Sequence, residues 1–155
     1  MRGKPAPKRT IKPDEKFGRE DVAKFINYIM ERGKKSTAKG IVYEALDIVS
    51  EKTKNDAVVI FEQAIKNISP SVEIRGRRVG GANYQVPVAV RPERSYALGC
   101  RWLIDAAKAK KGKRMAFKLA EELISAYNNE GSAIKKKQDT YRMAEANRAF
   151  AHFSR

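Results

Sequence analysis

Residues 75–92 read RGRRVGGANYQVPVAVRP, and here the apolar residues alternate with others as they do in a β-strand. Val86, Val88 and Val90 set this period of two in the second half. The central GGAN supplies residues that tolerate a positive φ, which a tight hairpin turn requires. We therefore expect a two-stranded β-ribbon over about 72–90, folded back at its double glycine.

The other apolar segments have the 3.6-residue spacing of helices. A first helix is predicted to end at Gly33, a second to begin with Ser36 as its N-cap, and a third to begin with Asp56 as its N-cap. A fourth carries Pro92 in its first turn, a fifth uses the apolar residues from Met115 onward, and a last helix starts at about residue 132.

The sequence thus predicts a mainly α protein, with about six helices in a compact body and one protruding two-stranded β-ribbon. We expect a single helical domain over 19–155. Residues 1–18 hold six basic residues, three prolines and two acids, with almost nothing apolar to bury, so they predict a basic flexible N-terminal arm.

The charge balance points to a polyanionic partner. The 155 residues include 33 Lys and Arg against 18 Asp and Glu, a formal net charge of +15. So basic a small chain is typical of nucleic-acid-binding proteins. The apolar runs are too short to cross a bilayer, and one cysteine cannot form an internal disulfide, so we expect a cytoplasmic protein with no membrane partner.

Candidate catalytic and metal-binding residues fail on inspection. GKKS at 33–36 lacks the first glycine and the Ser or Thr of a phosphate-binding P-loop. His152 stands alone near the end of the chain, and Cys100 lies among apolar residues, where a small buried side chain is the simpler interpretation. Trp102 fits a core position but could also stack on a base. We expect no enzyme, no catalytic residue, no metal and no cofactor.

The arginines of the ribbon are the strongest binding candidates. Arg75, Arg77 and Arg78 offer planar donor forks to phosphates or base edges, and Tyr84 lies near the turn, where a base could stack. The alternative is a solvated hairpin whose charges only prevent its edges from aggregating. The basic residues elsewhere in the chain favour binding.

Four long segments of the chain resemble one family. Together they are similar to bacterial small-subunit ribosomal protein seven, and the match spans nearly the whole chain. The segments are KFINYIMERGKKSTAKGIVYEAL (24–46), PSVEIRGRRVGGANYQVPVAVRPER (70–94), RWL (101–103) and DTYRMAEANRAFAHF (139–153).

This resemblance implies a six-helix body with a β-ribbon and primary binding to the 3′ major domain of small-subunit rRNA. It also implies nucleation of head assembly, a place near the exit-site tRNA and the mRNA exit channel, and ribosomal proteins nine and eleven as neighbours. The rRNA contacts that it implies are Lys8, Arg9, Lys34, Lys35, Arg75, Arg77, Arg78, Arg91, Arg94 and Arg101. The residues that it places near exit-site tRNA are Gly80, Gly81, Arg142 and Arg148.

Two other classes of function compete with this interpretation. An architectural protein that binds duplex DNA could also use an arginine ribbon, but such proteins are usually dimers, and we see no dimer seam and expect no homo-oligomer. An RNA-modifying enzyme would need a nucleophile, a metal cluster or a cofactor loop, and the sequence contains none that we recognise.

Overall fold

The structure is a computed structural model that describes Gly3 and residues 10–154. The described part of the chain forms six α-helices, one antiparallel pair of strands and a C-terminal 3₁₀ helix, so the predicted mainly α fold with a β-ribbon is confirmed. The elements are α1 (Glu20–Ile29), α2 (Lys35–Thr53), α3 (Ala57–Ile68), β1 (Val72–Val79), β2 (Ala82–Ala89), α4 (Pro92–Ala109), α5 (Met115–Tyr127), α6 (Ser132–Ala146) and the 3₁₀ helix (Arg148–Ser154).

One hydrophobic cluster joins all six α-helices. Within it the rings of Phe25 in α1 and Phe61 in α3 lie 5.1 Å apart, and Leu103 and Leu119 are fully buried members of the same cluster. Trp102 is half-buried and packs against this core. Burial of these side chains holds the helices as one body from which the ribbon extends.

Some predicted helix ends are confirmed and others are wrong. The Asp56 side chain caps α3 by accepting a hydrogen bond from the Val58 N–H at 2.9 Å, and Pro92 occupies the first turn of α4. By contrast, α1 ends at Ile29 and Gly33 lies in the turn beyond it, while α2 already begins at Lys35 without a side-chain cap. A tight turn with positive φ at Arg32 and Gly33 shortens α1 and makes Ser36 part of the helix.

The two strands of the ribbon pair in a register that sorts their side chains onto two faces. Arg75 lies opposite Val86 and Arg77 opposite Tyr84, while Arg78 lies opposite Asn83. Successive residues of a strand point to opposite faces, so Arg75 and Arg77 share one face, the Arg75 face, with Glu73, Tyr84 and Val86. The other face, the Arg78 face, carries Arg78, Asn83 and Gln85.

A buried aspartate anchors the chain just before α1. Asp14 accepts hydrogen bonds from the backbone N–H groups of Lys16 and Phe17 and from the hydroxyl of Tyr43 in α2, at 2.8 to 3.2 Å. The Phe17 ring packs edge-on against the Tyr43 ring, and Lys39 pairs with Glu15 at 2.9 Å. These contacts attach residues 14–18 to α2.

The C-terminal segment folds back onto the ribbon. The helix α6 ends at Ala146, and the following 3₁₀ helix packs against β2. There the Tyr84 ring lies 5.1 Å from the Phe150 ring and 5.2 Å from the Phe153 ring. The aromatic residues of the 3₁₀ helix therefore dock this segment onto the Arg75 face.

Candidate nucleic-acid interface

The ribbon presents its three arginines in two directions. Arg78 is exposed on the Arg78 face, beside polar Asn83 and Gln85. On the Arg75 face, Arg77 donates a hydrogen bond to the Phe153 carbonyl, so the 3₁₀ helix occupies part of its donor capacity. Tyr84 packs against this helix as well, which makes it a structural residue of the C-terminal docking site.

At the base of the ribbon, a buried carboxylate joins two of the predicted RNA contacts. Glu73 is only 7% exposed. Its Oε1 accepts a hydrogen bond from Arg75 Nε at 2.6 Å and also contacts Arg75 Nη2, while its Oε2 accepts from Arg94 Nε at 3.2 Å. Burial would raise the pKa of Glu73, but the hydrogen bonds from Arg75 and Arg94 outweigh burial and lower it below the usual value.

A groove lies beside this ion-pair group. It has a volume of about 330 Å³ and is bounded by Arg75, Arg77, Val86 and Val88, among others. Guanidinium groups line part of it and valine side chains another part. This mixture suits a nucleotide, since a phosphate can accept from the arginines while a sugar or base packs on the apolar part.

The helix α4 continues the basic surface away from the ribbon. Arg94, Arg101 and Lys108 are exposed and seven residues apart, so they lie along one side of α4 and span roughly 21 Å. We call these three residues the α4 stripe. Lys108 was not among the predicted contacts, although its spacing from Arg94 and Arg101 is a signal that the sequence contains.

Helix α1 runs beside α4 in the same direction and flanks the stripe. The Arg101 guanidinium lies 5.8 Å from the centroid of the Tyr28 ring, and Lys108 pairs with Glu31. The hydrogen bond from Lys108, together with its charge, lowers the pKa of Glu31. A cation against a half-exposed aromatic ring forms a surface on which an unpaired base can also stack.

The turn between α1 and α2 closes the far end of this surface. Lys34 and Lys108 both line a cleft of about 290 Å³ whose apolar wall includes Ile29, Ile41 and Met115. The structure thus places Lys34 beside Lys108, at the end of the α4 stripe. Lys35 and Arg91 are exposed at the starts of α2 and α4. Lys8 and Arg9 lie outside the described residues.

The residues predicted near exit-site tRNA lie at two places, with the glycines at the ribbon tip and Arg142 one residue after Tyr141, which bonds to Ser71 at the ribbon base. Gly80 and Gly81 form its tip with φ of +57° and +89°, values that L-residues with side chains rarely adopt. Arg142 and Arg148 are about four-fifths exposed, and each pairs with an acid three residues earlier at 3.4 Å. Arg148 begins the 3₁₀ helix that docks near the tip.

The described part of the chain offers neither a metal-binding cluster nor a membrane-spanning helix. Residues 10–154 contain no group of three or more His, Cys, Asp or Glu side chains arranged to hold a metal ion. None of the described helices has the length and apolar character needed to cross a membrane. Cys100 is fully buried in the core, and burial raises the pKa of its thiol to about 12.

Comparison with known proteins identifies the family. The model of the family described as ribosomal protein S7p/S5e matches residues 1–148. The chain belongs to this ribosomal protein family. Small ribosomal subunit protein uS7 of Thermotoga maritima is 58% identical over 153 residues, which cover 99% of each chain. The uS7 proteins of Chloroflexus aggregans and a Chelativorans species are 57% and 58% identical over 148 residues, 96% of this chain and 94% and 95% of theirs.

Membership of the S7p/S5e family confirms the resemblance drawn from the four sequence segments. It makes the chain a protein of the small ribosomal subunit. The basic surface from Arg75 to Lys34 therefore belongs to a protein of a ribonucleoprotein particle. Folded RNA is a polyanion, and a basic surface is complementary to it.

Proposed function

We propose that this chain binds small-subunit rRNA through one continuous surface, which runs from the base of the ribbon along α4 to the turn between α1 and α2. The observation that carries the proposal is the alignment of Arg75, Arg94, Arg101, Lys108 and Lys34 along this path. These residues come from the ribbon, α4 and the first interhelical turn, and the fold assembles them on one surface.

The chemistry of the surface favours RNA over duplex DNA. Phosphates that folded rRNA brings close together repel one another, and cations along a rigid helix offset that repulsion. The major groove of A-form RNA is too deep and narrow for side chains to read, so recognition rests on backbone shape and unpaired bases. The Tyr28–Arg101 pair and the groove beside Arg75 both accommodate an unpaired nucleotide.

Binding to a transcript of the 3′ major domain of small-subunit rRNA tests this proposal. We expect the parent chain to protect nucleotides in that domain and to prefer the transcript over duplex DNA in competition. With five phosphate contacts, the slope of log affinity against log salt should be about −4. Preference for duplex DNA would support the architectural DNA-binding alternative instead, and a slope near −1 would contradict a multi-contact surface.

A matched pair of triple variants localises the interface. Replacing the α4 stripe by glutamine (Arg94, Arg101 and Lys108) should weaken rRNA binding by well over tenfold, because charge-assisted hydrogen bonds contribute roughly 1.5 to 3 kcal/mol each. The control replaces three basic residues on other helices, Lys52, Lys66 and Lys135, and removes the same charge. Equal losses in the two variants would mean that only net charge matters.

The further roles in the ribosome belong to the same proposal. In it, the chain nucleates assembly of the subunit head in the cytoplasm, acts as a structural component without catalysis, and has ribosomal proteins nine and eleven as neighbours. The ribbon tip and the C-terminal segment lie near exit-site tRNA and the mRNA exit channel. The exposed tip glycines, and Arg148 at the start of the 3₁₀ helix that packs on β2, support this orientation.

Substitutions at the tip test the proximity to tRNA. Valine at both Gly80 and Gly81 should distort the turn, because both positions have a positive φ that β-branched residues avoid. We expect lower retention of exit-site tRNA on reconstituted subunits with rRNA affinity within about twofold of the parent. Asn83→Val places a valine in the same ribbon at a residue that does not have a positive φ, and it should leave tRNA retention unchanged. Equal retention in all three proteins would refute the proposed orientation.

A further inference from the structure

The buried acid at the base of the ribbon is unexpected in a chain with a net charge of +15. Glu73 projects from β1 on the Arg75 face and is almost removed from solvent. A carboxylate beside a surface that binds phosphate repels the ligand if it acts only through its charge. Its position therefore calls for a structural or functional reason.

The geometry around Glu73 supplies that reason. Its two oxygens receive Nε of Arg75 at 2.6 Å and Nε of Arg94 at 3.2 Å, and Nη2 of Arg75 also contacts Oε1. Arg75 thus contacts Glu73 through Nε and Nη2, and Arg94 contacts it through Nε. Nη1 of Arg75 and the two Nη atoms of Arg94 are not used in these hydrogen bonds, so they can donate to another acceptor.

Both arginines nevertheless remain accessible. The Arg75 side chain is 61% exposed and the Arg94 side chain 45% exposed, whereas the Glu73 side chain is only 9% exposed. One buried acceptor therefore holds two solvent-facing guanidinium groups, one from the ribbon and one from α4. Fixing long side chains before binding reduces the conformational entropy that is lost when a ligand is bound.

We propose that Glu73 is a positioning residue, which sets Arg75 and Arg94 as a preformed clamp for a backbone phosphate of unpaired RNA at the groove beside the ribbon. The inference rests on the proposed rRNA binding and adds to it a role for an acid. Glu73 does not contact the phosphate. It acts through the two arginines. Its bond to Arg94 also fixes the orientation of the ribbon relative to α4, where the rest of the basic surface lies.

The direction in which RNA affinity changes when one acid is neutralised distinguishes positioning from simple electrostatics. Glu73→Gln raises the net charge by one and releases an arginine, so electrostatics alone predicts tighter binding to RNA. A glutamine side chain has one acceptor oxygen and presents an N–H₂ group to the second arginine, so the clamp is lost. Positioning therefore predicts weaker binding, by about fivefold or more.

The experiment measures affinity for the 3′ major domain transcript together with the melting temperature. Glu51→Gln is the control, because it removes an exposed acid from α2 and makes the same charge change away from any arginine clamp. We expect Glu51→Gln to bind as tightly as the parent or slightly more tightly, and Glu73→Gln to bind more weakly with a shallower salt slope. If Glu73→Gln binds as tightly as Glu51→Gln, the proposal is wrong.

Three further proteins keep the test decisive. With Arg75 and Arg94 both replaced by glutamine, adding Glu73→Gln should cause no further loss, and a further fivefold loss would show that Glu73 acts independently of them. If Glu73→Gln melts so early that its affinity cannot be measured, Arg94→Lys decides at unchanged net charge. A lysine that pairs with Glu73 has no outer guanidinium nitrogen, so weaker binding supports the clamp and unchanged binding overturns it. A parent chain that does not bind the transcript at all would refute the proposed function itself.

Discussion

Removing the Tyr84 ring should release the C-terminal 3₁₀ helix from the ribbon while leaving the helical body intact. In Tyr84→Ala, two aromatic contacts are lost, with ring centroids at 5.1 Å and 5.2 Å from Phe150 and Phe153. Each such pair contributes about 0.5 to 1.5 kcal/mol beyond its buried area, so docking of the segment should weaken by roughly 1 to 3 kcal/mol, or about 5- to 150-fold in its equilibrium constant.

Amide hydrogen exchange measured by mass spectrometry can detect this change, since exchange of residues 148–154 reports local opening. We expect faster exchange there and little change in the buried core of α3 and α5. Tyr84→Phe keeps the ring and should behave like the parent, and Tyr28→Ala removes a tyrosine from α1 without affecting the C-terminal segment. If residues 148–154 exchange equally slowly in Tyr84→Ala, the aromatic contacts do not hold this segment.

Three further predictions concern buried groups. Cys100 has a thiol pKa of about 12 and no exposed surface. It should therefore resist alkylation by iodoacetamide at pH 8 in the folded protein and react readily in urea. Rapid reaction without urea would contradict its burial. Glu122 accepts a hydrogen bond from the Ala133 N–H at 3.0 Å and pairs with Lys110 at 2.8 Å. Urea unfolding should therefore show Glu122→Ala destabilised by about 3 kcal/mol and Glu122→Gln by about 1 kcal/mol. Equal values for the two variants would mean that the hydrogen bond to α6 contributes nothing. Because the folded-state pKa of Glu73 is lowered, the Glu73 carboxylate contributes fully to stability above its unfolded-state pKa of about 4.3. This contribution is lost as the pH falls through the lower folded-state pKa. NMR of the ribbon amides should show this acid transition in the parent but not in Glu73→Gln.

Features governed by local sequence were predictable. The period of two and the double glycine specify the ribbon, and the Asp56 side chain has its acceptor beside the first N–H groups of α3. The end of α1 was not predictable in the same way. Arg32 adopts a positive φ that its residue type disfavours, so the fold, rather than local preference, sets that turn.

The candidate site combines predictable and unpredictable parts. The division of the ribbon arginines between two faces follows from strand alternation once the register is known, and the spacing of Lys108 from Arg101 was readable from the sequence. The role of Glu73 was not, because Arg94 lies 21 residues further along the chain and meets it only after the ribbon packs beside α4. Tyr84 similarly met its partners only through the return of the C-terminal segment.

The alternation of side chains along the ribbon also limits how its length can change. Inserting one residue into β1 between Glu73 and Arg75 would shift the following side chains to the opposite face, so the cation that now bonds to Glu73 and the one that now lies across from Tyr84 would leave their partners. Inserting two residues into each strand would restore every side chain to its present face and only move the tip outward by about 7 Å. The ribbon should therefore tolerate insertions or deletions of two residues per strand, so the distance from its base to its tip can change only in increments of about 7 Å.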